Sequence, residues 1–150
     1  MDYQNGIPAL ASEDAVADTP TYTQELREYL LGSGWVTTGY TPDENAAVSS
    51  FEICRFGAIV QIRIVATLAS LPNVNTFGDC TNTTVLTLPA EFRPEHIGSI
   101  NSSGIGRAVD AVVLADGRVQ VGAVSPDATQ TGTVTLSNVQ VSLGGTYMLG

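Results

Sequence analysis

The feature that most constrains this chain is an alternation of period two. In "AIVQIRIVATL", Ala58, Val60, Ile62, Ile64, Ala66 and Leu68 fall on one side of an extended backbone. Ile59, Gln61, Arg63, Val65 and Thr67 fall on the other. A helix would scatter the Gln and the Arg around its circumference, whereas a strand places both on one wettable face. Such a strand is half-buried, with one face on a core and the other in water.

The same pattern recurs downstream. "VSSFEICRF" precedes the run and is joined to it by an "RFGA" turn; "TVLTL" follows after an expected loop over 69–83. "GRAVDAVVLADGRVQVGAV" reads as a hairpin in which Asp116-Gly117 supplies a two-residue turn with positive φ. "TGTVTLSNVQVSL" gives one or two more strands, and "GGTYML" a short closing one. About seven strands with tight turns and no second helical pattern predict a mainly β protein, an antiparallel β-sandwich or jelly-roll-like domain over 41–150.

The first forty residues differ. Residues 1–17 read as an extended arm. Over 19–31, Tyr22, Leu26, Tyr29 and Leu30 recur at helical spacing. Thr21 with Gln24 forms a capping box, or Thr19 caps with Pro20 in the first turn, and Gly32 is the expected stop. A helix shorter than ~12–15 residues is marginal alone, so this stripe requires a partner: the β-domain or copies of itself. Trp35 and Tyr40 lie in the linker that follows. They either pack on the domain edge or form a stacking platform for a sugar ring.

Charge narrows the function. The chain has no Lys, six Arg and 15 acids, for a net charge of −9. This excludes sequence-independent nucleic-acid binding and docking on anionic lipid, which need clustered cations. The N-terminus has neither the basic nor the apolar region of a signal peptide, and no stretch is apolar enough to span a bilayer. Cys54 and Cys80 lack metal-site spacing and are expected as two reduced thiols, with one disulfide as the alternative. His96 is the single His, so a hydrolytic triad has one possible base. Glu91 and Glu95, a candidate carboxylate pair, flank "FRP" in a proline-broken loop, where solvated acids are the plainer reading. "GIGR" lacks the Lys-Ser/Thr of a phosphate loop. No enzyme and no cofactor are expected.

"LTLPAEFRPEHIG" holds two prolines, an Arg and the His where a strand ends. Pro89 stops the ladder, Phe92 can turn back to the core, and Arg93 before Pro94 is pushed into extended backbone. The physical reading is a corner between strands. Of the β-domain aromatics, Phe51, Phe56, Phe77, Phe92 and Tyr147, most fit core positions.

The order of "LPAEFRP", the "DGRVQV" hairpin and a closing "GGTYML" resembles the C-terminal β-domains of bacteriophage tail proteins. Their L-P-x-x-F-R-P corner is followed by a strand, a D-G turn and a final strand ending in an aromatic. "RFGAIVQIRIVATL" looks like the R-x-G-x-x-V hairpin of the same group. "IPALASEDAVADTPTYTQELREYL" is similar to the opening of minor tail proteins of phages of actinobacteria. The resemblance implies a virion structural protein, usually a homotrimer, whose residues 1–34 contact other phage proteins while the β-domain faces the host envelope and its glycans. It implies no catalytic residue. A collagen-like or coiled-coil shaft is missing, which favours a compact spike. A capsid head fibre or decoration protein, and a stand-alone carbohydrate-binding module, are the alternatives.

Overall fold

The computed structural model describes residues 2–4, 7–9, 32–102 and 107–150. The stripe of Tyr22, Leu26, Tyr29 and Leu30, with the helix expected over 19–31, lies outside them. Strands β1 (Asp2–Gln4) and β2 (Ile7–Ala9) pair antiparallel. The rest of the ladder comprises β3 (Thr41–Pro42), β4 (Ala46–Phe56), β5 (Ile59–Val74), β6 (Asp79–Thr87), β7 (Gly98–Ser102), β8 (Val109–Val113), β9 (Arg118–Val124) and β10 (Val134–Met148). Among the described residues the only helical segment is a 3-10 turn at Ala90–Phe92.

The protein is mainly β and its strands pair antiparallel, as the alternation requires. The arrangement differs from two separate sandwich sheets: one eight-stranded sheet runs β3-β6-β9-β8-β7-β10-β5-β4. Its curvature follows from chain length. In a flat sheet β5 and β6 would stand five strands apart, about 24 Å at a spacing of ~4.8 Å. Five residue steps from Val74 to Asp79 span at most about 17 Å. The sheet therefore curls until its ends meet, and Asn75 N–H donates to the Asp79 carbonyl at 2.9 Å across the joining turn. The enclosed face is the core.

Val60, Ile62, Ile64, Ala66 and Leu68 all point into that core and are at most 1% exposed. Two strands are longer than their alternation suggests. The expected loop over 69–83 is instead the end of β5, a turn and the start of β6. Strand β5 keeps its inward row by slipping register: after Leu68 the buried positions are Leu71 and Val74. Pro72 is tolerated because β4 pairs with β5 only as far as Leu68, leaving that edge without a ladder. There Asn45 substitutes for a strand, its side-chain amide donating to the Ser70 carbonyl at 2.8 Å and accepting from Ser70 N–H at 3.1 Å. The closing segment is likewise not a separate strand; β10 runs unbroken for 15 residues.

In β4 the inward row also changes parity. Ala46 and Val48 face in, then Phe51 and Ile53, with a register shift between Val48 and Ser50. One extra residue in a bulge restores the apolar face that strict alternation would have turned outward. The turn between β8 and β9 is larger than two residues. Gly117 N–H bonds the Leu114 carbonyl at 2.9 Å, and Leu114 N–H bonds the Arg118 carbonyl at 2.9 Å. Gly117 has φ +91°. This is a three-residue loop, a turn closed by a left-handed glycine.

Candidate functional site

Two clusters contain the residues that the sequence marks out. The first is the corner. After Leu88, Pro89 (φ −55°, ψ 150°) leads into the 3-10 turn, and Arg93 (φ −82°, ψ 128°) is extended ahead of Pro94. Phe92 and Pro94 are buried, while His96 is exposed. Arg93 folds back so that its Nε donates to the Leu88 carbonyl at 3.0 Å. A Cβ at Gly117 would fall 2.6 Å from that same Nε, so the guanidinium stem lies directly on the hairpin glycine. The buried Tyr147 hydroxyl donates to the Phe92 carbonyl at 2.6 Å. Burial pushes the Tyr147 phenol well above its ordinary pKa. Glu95 N–H then bonds the Leu149 carbonyl at 2.7 Å. Every polar contact of this cluster is internal, so its chemistry is that of a lock between segments.

The second cluster is a groove of about 420 Å³ on the outer face of β4, β5 and β10. Its walls carry Ser50, Glu52, Gln61, Arg63 and Ser142. The outward row of β5 supplies Gln61 and Arg63, as the alternation requires. Arg63 sits 5.0 Å above the Trp35 ring centroid and 3.8 Å from the Glu52 carboxylate. Trp35 is 46% exposed, so one face carries a guanidinium and much of the ring remains in water. A segment bridged to β4 through Val36 and Ile53 holds it there. Aromatic surface beside paired charges and amides can stack on an apolar sugar face while donating to and accepting from hydroxyls.

Tyr40 does not join that groove. It packs against the core with its ring 4.5 Å from Phe51 and tilted by 37°. Of the five β-domain aromatics, Phe51, Phe92 and Tyr147 are buried, while Phe56 at 43% and Phe77 at 81% are exposed. Both lie at strand ends, where alternation no longer dictates a face. Sequence reasoning did not single out Glu52, although Arg63 opposite it in the β4–β5 register was a signal that a partner acid was needed. Cys54 and Cys80 are both free thiols, and burial raises the pKa of each.

No protein-family model matches the chain, and no curated protein matches it. Among solved structures it is similar to the head domain of phage bIL170, described with the receptor-binding domains of lactococcal phages. That similarity has a TM-score of 0.48 and 13% identity, and it covers 77% of this chain and 98% of the other.

Proposed function

We propose that the chain is a bacteriophage virion structural protein, a trimeric tail-tip, spike or fibre component that contributes to host-surface attachment. One observation carries this reading. Three of the motifs that carry the sequence resemblance, "LPAEFRP", "DGRVQV" and "GGTYML", are far apart in the chain but interlock at one pole through Arg93 on Gly117 and Tyr147 on Phe92. An order of motifs that also forms one physical unit is what a shared domain type would produce. In this reading residues 1–34 join the particle and the stripe of Tyr22, Leu26, Tyr29 and Leu30 holds the trimer. The protein catalyses nothing and binds no cofactor, nucleic acid or bilayer.

The test is deletion of residues 1–34. The expected outcome is loss of particle incorporation with the β-domain still folded; a truncated chain that still incorporates refutes the assignment. Immunogold labelling of intact particles separates a tail position from a capsid head fibre or decoration protein.

Trp35, stacked on Arg63 beside the outer-face groove, favours a second reading, carbohydrate binding by the isolated domain. It is also a mode of attachment within the first. A change in Trp35 fluorescence on addition of host-wall glycan supports it, and an unchanged spectrum with saturating glycan removes it.

A further inference from the structure

The most exposed large apolar side chain described is Phe77, at 81%, and its mounting is rigid. Asn75 Oδ1 accepts from Phe77 N–H at 2.9 Å and from Asp79 N–H at 3.0 Å. Gly78 N–H donates to the Asn75 carbonyl at 3.0 Å, and Val124 N–H donates to the Gly78 carbonyl at 2.8 Å. Gly78 holds φ +94°, with the Val124 carbonyl where a Cβ would stand. An aromatic ring left in water forgoes about 1.5–3 kcal/mol of burial. Here the surrounding backbone fixes the ring outward, although Phe77 could have been any polar turn residue.

Beside the ring lies a groove of about 310 Å³, at the lower end of the ~300–1,000 Å³ of small-molecule sites. Its polar lining includes Asp79, Asn101, Ser102, Asp110 and Ser125. Among the described residues no cation lines it, and Arg107, next in sequence to the lining Ala108, is engaged with the Ser125 carbonyl at 2.9 Å. Two carboxylates repel anions, while acceptors, an amide and hydroxyls suit a ligand with several OH groups. The Phe77 face suits a ring with axial C–H bonds. We propose that this groove binds an uncharged pyranose, with the sugar face on Phe77 and its hydroxyls on Asp79, Asp110 and Asn101.

The position adds a second argument. Strand β5 is 16 residues long, close to 50 Å at ~3.3 Å per residue. Phe77 lies beyond its far end, whereas Gly32, which follows residues 1–31 in the chain, lies against Phe56 at the near end. If residues 1–34 face the particle, Phe77 faces away from it. That orientation rests on the attachment reading; the binding itself does not.

The experiment is saturation-transfer NMR on the full-length protein with the methyl glycosides of glucose, galactose, mannose, rhamnose and N-acetylglucosamine. At least one is expected to receive transfer. Phe77→Ala is expected to weaken it by at least tenfold and Asp110→Asn by several-fold, with the urea midpoint unchanged for Phe77→Ala. Trp35→Ala is expected to leave it intact. No transfer to any of the five, or transfer that survives Phe77→Ala, overturns the proposal. Loss with Trp35→Ala alone also overturns it and places the sugar on the other groove. Particle incorporation by Phe77→Ala reports separately on the virion reading, which fails if deletion of residues 1–34 has no effect.

Discussion

Tyr147→Phe isolates one atom of the lock at the corner. The ring is retained, so no large cavity opens. The substitution removes the hydroxyl that donates to the Phe92 carbonyl at 2.6 Å, in a buried setting. A buried acceptor left without its donor costs about 1–3 kcal/mol. Taking ~2 kcal/mol and a urea slope of ~2 kcal/mol/M, the unfolding midpoint falls by about 1 M. The pH dependence supplies an independent check. Burial raises the phenol pKa in the folded state, so above about pH 10 the unfolded chain has lost a proton that the folded chain keeps. The stabilising contribution is complete below that pH and declines as pH rises, by at most ~1.4 kcal/mol per unit. The variant lacks this group. The gap between wild type and Tyr147→Phe is therefore expected to narrow between pH 10 and 11. Urea unfolding followed by circular dichroism at pH 7, 9, 10 and 11 measures both quantities. A gap below about 0.5 kcal/mol at pH 7, or one that stays constant to pH 11, refutes the reasoning that the hydroxyl holds the corner.

Three further outcomes follow from the same geometry. Gly117→Ala places a methyl group against Arg93 at φ +91°; strain at such a backbone costs about 1–3 kcal/mol, read as a lower urea midpoint. Ile62→Ala empties a fully buried site near the start of β5 and is expected to lose about 2–5 kcal/mol, more than Gln61→Ala at the neighbouring outward position. Cys54 is buried and Cys80 partly so, with both thiol pKa values raised; a thiol reagent at pH 7 is expected to label the native protein slowly, Cys80 first, and the urea-unfolded protein at once.

What the sequence revealed and what it hid have physical reasons. Alternation over Val60–Leu68 identified the inward row because each inward side chain sits in the core and the pattern has a single period; Ala58, expected in that row, lies in the turn before β5 and is exposed. Past Leu68 the strand continues through bulges, and Asn73 takes φ +58°. A bulge destroys the period without ending the strand, so the segment reads as a loop. Gly144 and Gly145 look like a break, yet they lie inside β10, where Gly145 lets Ile100 approach. The corner was legible because Pro89 and Pro94 have few backbone options. The partner of Tyr147 was not, since a hydrogen bond across 55 residues of chain leaves no local pattern, and neither was the packing of Arg93 on Gly117 of the following hairpin. Alternation also assigns a face but never a neighbour, which is why one curled sheet and two stacked sheets look alike. Phe77 carries no signal of its own in the sequence: phenylalanine is usually interior, and only the turn geometry shows that this one points out.

The pairing of β5 with β10 extends from Val74–Val134 to Ile59–Met148. It has a mechanical consequence. A pull applied between the Gly32 end and the Phe77 end runs parallel to these strands. Force in that direction loads the cross-strand hydrogen bonds together, in shear. A pull at right angles would open them singly, like a zipper. Rupture under an axial load thus requires many bonds to fail at once. The domain is built to bear tension along its long axis and to yield most readily across it.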